Sequence, residues 1–133
     1  MAKVFTEGRH AAEFILEELG VSFSRDSITI PAGTGVIEPG TVLGKLKATG
    51  KFVPSPVAQA VPAEGEDPND GSENASAINI YRVDATDVDV MVAAIVRGSA
   101  VNGKIITYDA SVADDAAITA KNAQLADVGI IVR

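Results

Sequence analysis

Few residues in this sequence can do chemistry, and their spacing argues against a catalytic centre. His10 is the one histidine, so no second imidazole exists for a metal site or a proton relay. With no cysteine there is no thiolate nucleophile, disulfide framework or Cys-based metal site. Ser22, Ser24, Ser27 and Ser111 stand outside any nucleophile-elbow pattern, and Ser111, shortly before Asp114 and Asp115, reads as a helix cap. Asp84, Asp87 and Asp89 are close neighbours, but strand geometry sends them to different faces or to solvent. The glycines of AGTGVIEPG lack the strand-to-helix context of a phosphate loop, and Asp67–Asn74 lacks the ligand register of a calcium loop. Lys45, Lys47 and Lys51 lie on a glycine-bounded hairpin, where carrier domains display a lysine for biotin or a lipoyl group. The turn Ala48-Thr49-Gly50-Lys51 has no flanking Met or Asp of the kind such lysines carry. A non-enzymatic protein without cofactor or metal is expected, with a carrier domain as the alternative.

Composition points the same way. The 133 residues suit one domain with a core of its own, and 47% hydrophobic content without tryptophan suits thin β-layers better than a deep pocket. Eighteen acidic against eleven basic residues give a net charge of −7, the wrong sign for a phosphate backbone, so no direct nucleic-acid partner is expected. No apolar run approaches the roughly 18 residues of a membrane span, and the charged start MAKVFTEGRHAAEF is unlike a signal peptide. No membrane association is expected, and synthesis is expected in the cytosol.

The elements that would position these residues are mostly strands. Ala32–Val53 is the organising stretch, a bent ribbon in which Pro39-Gly40 and Thr49-Gly50 punctuate short half-buried runs. Ahead of it, Arg9–Leu19 places Ala12, Ile15, Leu16 and Leu19 at helical spacing with Gly20 as a stop, so a short docking helix is expected. Val21–Ile30 alternates as a strand with a polar break at Ser24–Ser27, closed by Pro31. Pro54–Asn74, with four prolines and five acidic residues, reads as a long surface loop outside the core. Ala77–Val83 and Val88–Val96 are the clearest strands. Asn102-Gly103 signals a hairpin whose second strand is Lys104–Tyr108. A helix capped by Ser111 then runs to about Asp127, and Ile130–Val132 ends the chain as a packed strand.

Taken together, FTEGRHAAEFIL, SRDSITIPAGTGVIEPGTVLGKLKATGKFV, VDATDVDV, AAIVRGSAVNGKI and LADVGIIVR resemble the head decoration proteins of tailed phages, the family of the phage lambda decoration protein, in its prophage-encoded branch. The segments are spread over nearly the whole chain. Relative to that branch, Pro54–Asn74 looks like an acidic insertion, and Arg97-Gly98-Ser99 stands where a more polar or acidic turn is common.

The resemblance implies a mainly β fold with short helices, of the β-clip or β-tulip type: an incomplete barrel that trimerises. It implies a homotrimer on the outer surface of the virion, bound to the major capsid protein at threefold and quasi-threefold positions of the expanded head, with no small-molecule substrate. Residues 1–30 would be a capsid-binding arm of short helix plus strand, and residues 31–133 a β-rich decoration domain with a surface loop at 54–76. The expected capsid-binding residues are Phe5, Arg9, Phe14, Phe23, Ser24, Arg25, Ile28 and Ile30. On that expectation, deleting Met1–Ser27 abolishes capsid binding and leaves a folded trimer.

Overall fold

Alternating small and branched residues in the middle of the chain build the central sheet. A computed structural model describes residues 3–133. In it Val90–Ile95 (β8) lies between Arg25–Ile30 (β2) and Ala75–Asn79 (β6). Val42–Lys45 (β4) pairs with the other edge of β6, and Phe52–Pro54 (β5) completes an antiparallel sheet in the order β2-β8-β6-β4-β5. Register is continuous from Arg25 opposite Ile95 to Ile30 opposite Val90. Adjacent residues on these strands feed opposite faces, as strand geometry requires. Val42, Ile78 and Ile95 join Phe14, Val101, Leu125 and Ile130 in one core cluster. Leu43, Ala77, Ala94 and Val92 join Ile28, Ile30, Ile37 and Val83 in a second. The sheet is covered on both sides, which is why its central strands are rich in Ala, Val and Ile rather than cleanly amphipathic.

Two smaller sheets flank it. Ile15–Glu18 (β1), Ser99–Val101 (β9) and Ile130–Val132 (β10) form one, with β9 central, antiparallel to β1 and parallel to β10. Gly35–Ile37 (β3) pairs with Val83–Ala85 (β7) in the other. Helices are Val21–Ser24 (α1), a single turn, and Asp115–Asp127 (α2). The fold is thus mainly β, with two helices and no closed barrel among the described residues. The glycine corners expected in the ribbon occur at Gly33, Gly35, Gly40 and Gly50, all with positive φ. Gly44 serves a different need: a Cβ there would sit 1.9 Å from the Ser72 carbonyl oxygen.

Four local expectations are corrected. Arg9–Leu19 is not a helix: Ala12 turns the chain at φ 61°, Phe14 drops into the core and Ile15–Glu18 pairs with β9. An eleven-residue helix is marginal alone, and an open strand edge with a pocket for Phe14 outcompetes it. Val21 and Phe23 are not strand positions but lie exposed on α1, and the supposed polar break at residues 25–27 is the start of β2. Asn102-Gly103 does not close a hairpin onto residues 104–108, because both edges of β9 are already taken by β1 and β10. The cap of α2 is Asp114, whose Oδ1 accepts from the Ala117 N–H at 2.7 Å. Ser111 instead donates to Asp109 Oδ2 and accepts from the Val57 N–H at 2.9 Å.

Candidate functional site

Residues 3–10, all exposed, precede the turn at Ala12, outside every strand and helix. Val4 and Phe5 are 88% and 84% exposed, and the Lys3 ammonium lies 6.0 Å from the Phe5 ring centroid. Arg9 makes a long ion pair with Glu13, 3.8 Å, and the His10 Nε2 faces Glu7 at 3.3 Å. Two apolar side chains held in water on a segment without packing are a surface awaiting a partner.

A second exposed apolar cluster forms where α1 meets the turn before β9. Gly20 accepts the backbone N–H groups of Phe23 and Ser24, which winds the single turn of α1. Ser24 is fully buried and its hydroxyl donates to the Gly98 carbonyl at 3.0 Å, pinning α1 to that turn. Gly98 has φ 58°, and a Cβ there would lie 2.9 Å from Phe23 Cε1 and 3.2 Å from Leu19 Cδ1. Glycine therefore lets Leu19 and Phe23 lie flat over the turn while staying 77% and 54% exposed. Ile131, also exposed, lines a groove of about 220 Å³ with Leu19, Gly98 and Gly129. Arg97 borders Phe23: its guanidinium carbon is 5.6 Å from the ring centroid, and its NH2 group donates to Asp26 at 2.8 Å. A cation at that distance from an aromatic face is attracted to it and helps fix the ring's position beside the turn.

The eight expected binding residues divide sharply. Phe5, Arg9 and Phe23 are on the surface. Arg25 is partly exposed, but its guanidinium is occupied by Glu18, with NH2 to Oε1 at 2.6 Å and Nε to Oε2 at 3.0 Å. Hydrogen bonding to Glu18 raises its pKa further above the usual arginine range. Phe14, Ser24, Ile28 and Ile30 are buried in the chain's own core and present no side chain outward. The boundary expected after residue 30 likewise runs through the sheets, since β1 and β2 are both paired within the fold. Sequence reasoning missed Leu19, Gly98 and Ile131 as members of this cluster; the only hint was that Arg97-Gly98-Ser99 broke the expected turn composition.

Chemistry elsewhere is sparse. Two grooves of about 410 and 480 Å³ lie beside residues 7–13 and between β2 and the β4–β5 turn; in the second, Ser27 and Ser76 make no hydrogen bond to Asp26 or Lys45. No group of three metal-ligating side chains occurs among the described residues, and no described helix is long and apolar enough to cross a membrane. Lys51, the hairpin lysine beside Gly50, is held by Asp89 at 2.6 Å, and the same carboxylate accepts the Ala32 N–H.

The sequence pattern of Bacteriophage lambda head decoration protein D matches residues 4–130. The chain belongs to that family. No curated protein matches it significantly. As a family member it is a phage head decoration protein, a structural rather than enzymatic component associated with the capsid of the virion. An exposed apolar arm and an exposed apolar cluster suit that role.

Proposed function

We propose that this decoration protein is a cement protein that binds the expanded phage head as a homotrimer at threefold and quasi-threefold sites and stabilises it against internal DNA pressure. Its contact surface on the major capsid protein comprises the segment up to residue 11, with Phe5 and Arg9, and the cluster around Phe23, with Arg25 at its edge. The three sheets then correspond to a β-clip-type incomplete barrel, and the protein is made in the host bacterial cytoplasm before joining the virion.

The observation that carries this function is the unpartnered segment with Val4 and Phe5 exposed, in a chain of the decoration family. Such a segment can add as a strand to an exposed sheet edge of the shell, where backbone hydrogen bonds give affinity and alternate side chains fill pockets. A cyclic trimer presents three arms at once, so weak single contacts combine through effective concentration. Because binding is selective for the expanded lattice, it shifts stability toward that state by mass action.

The test is cosedimentation of the purified protein with expanded, undecorated heads assembled from the capsid protein of the same phage genome, beside unexpanded shells. Saturable binding to expanded heads alone is expected. Equal binding to both forms, or to neither, refutes the proposal.

A further inference from the structure

Helix α2 carries a lysine where its packing calls for an apolar residue. Lys121 lies between half-buried Ile118 and buried Leu125 on one face of the helix, and only 3% of its surface is exposed. An ammonium that deep is tolerable only when each proton has an oxygen to meet. Lys121 Nζ donates to Ser55 Oγ at 2.9 Å and to the carbonyl oxygens of Pro56 and Glu73, both close. Burial pushes its pKa down, and the neighbouring carboxylates of Glu73 and Asp109 push it partly back up.

The origin of those acceptors matters. Ser55 and Pro56 leave β5, whereas Glu73 stands just before β6, so the three oxygens come from the two stems of one long loop. The Ser55 hydroxyl donates onward to the Ser72 carbonyl at 2.7 Å and ties the stems together directly. Two further contacts bind the stems to the α2 region: Gln124 Oε1 accepts the Ala75 N–H at 2.8 Å, and Ser111 Oγ accepts the Val57 N–H. The Glu73 carboxylate accepts the Gly71 N–H at 2.7 Å. Beyond the stems every residue from Ala58 to Pro68 is exposed, and the side-chain bonds there are local ones between Asn69 and Gln59 or Asp67.

We propose that Lys121 is a clasp that locks both stems of the acidic loop onto α2, so that the loop beyond them is a separately hinged finger that can open while the stems keep their backbone bonds to the β4 side, from the Ser55 N–H to the Val42 carbonyl and from the Lys47 N–H to the Asp70 carbonyl. The inference is independent of capsid binding, because every group in it belongs to one chain. A plain core-filling role differs in kind: losing a core residue lowers protection everywhere, whereas releasing a clasp frees only what it holds.

Amide hydrogen exchange on the full-length protein separates the two. In Lys121→Met, the amides of Val57, Asn74 and Ala75 are expected to exchange ~10- to 100-fold faster, the range set by losing a charge-assisted hydrogen bond, while those pairing β2 with β8 keep wild-type rates. Leu125→Ala, one turn further along the same helix, should accelerate both regions together. Ser55→Ala, which leaves lysine and helix intact, must reproduce the restricted pattern and serves if Lys121→Met does not fold. Uniform acceleration in Ser55→Ala or Lys121→Met, or unchanged exchange at the stems, overturns the clasp.

Discussion

Two truncations separate the surface segment from the fold. Removing residues 1–10 deletes described side chains that are all exposed, and among their contacts with the rest only the long Arg9–Glu13 pair and the His10 carbonyl's bond to the Glu13 N–H are lost. Surface pairs of that kind contribute about 0–1 kcal/mol. At roughly 3–5 °C per kcal/mol for a chain of this size, the melting temperature should fall by no more than about 5 °C. Capsid binding, on the proposed function, should be lost.

Removing residues 1–27 is a different operation. Phe14, fully buried in the first core cluster, goes with it, and a Phe→Ala change at such a site alone costs about 3–5 kcal/mol. The deletion also strips β1 from β9, removes the buried Ser24 bond to Gly98, and takes the Arg25–Ser27 half of β2 away from β8. A domain of this kind has about 5–15 kcal/mol in total, so the remainder should not fold cooperatively. Thermal melts followed by circular dichroism, with cosedimentation on expanded heads alongside, read both outcomes. A protein lacking residues 1–27 that still melts cooperatively within a few degrees of the full chain would refute the assignment of residues 14–27 to the core.

Further outcomes follow from single sites. Gly44→Ala drives a methyl into the Ser72 carbonyl at 1.9 Å and should cost about 1–3 kcal/mol or more, whereas Gly8→Ala, with nothing within 4 Å, should leave the melting temperature unchanged. Phe23→Asp should abolish head binding while stability stays within about 1 kcal/mol, because the ring is largely exposed; wild-type binding would remove the α1 cluster from the contact surface. The Ser72 hydroxyl and N–H hold the Asp70 carboxyl below its ordinary 3.8. Its contribution is therefore complete above that unfolded value and lost as pH falls through the lower folded one. In Asp70→Asn the decline of melting temperature below about pH 4 should be shallower than in wild type; superimposable acid limbs would contradict the bond.

Legibility in the sequence followed the range of the forces involved. Val90–Ile95 and the corners at Gly33, Gly40 and Gly50 were readable because side-chain alternation and positive φ are properties of the residues themselves. The end of α2 was readable for the same reason, with Gly129 at φ 85° just past the last turn. Its start was misplaced because Ser111 and Asp114 both have capping chemistry, and the choice between them was made by Val57, 54 residues away, which engages the Ser111 hydroxyl. At Asn102-Gly103 a strong local turn signal was overruled by strands arriving from both ends of the chain.

The candidate surface was harder to read for a related reason. The sequence from Phe5 to Ile30 contains every residue assigned to binding, but sidedness there is set by partners it does not contain. Ile28 and Ile30 face inward because β8 pairs with β2 in a fixed register, and a slip of one residue would reverse them. Phe23 faces outward because Ser24 beside it is anchored to Gly98, more than seventy residues downstream. A binding segment and a core strand can thus share composition and adjoin in sequence, and only long-range pairing divides them. In this protein that division falls at the turn through Ala12, ahead of Phe14, where the backbone first commits to the core.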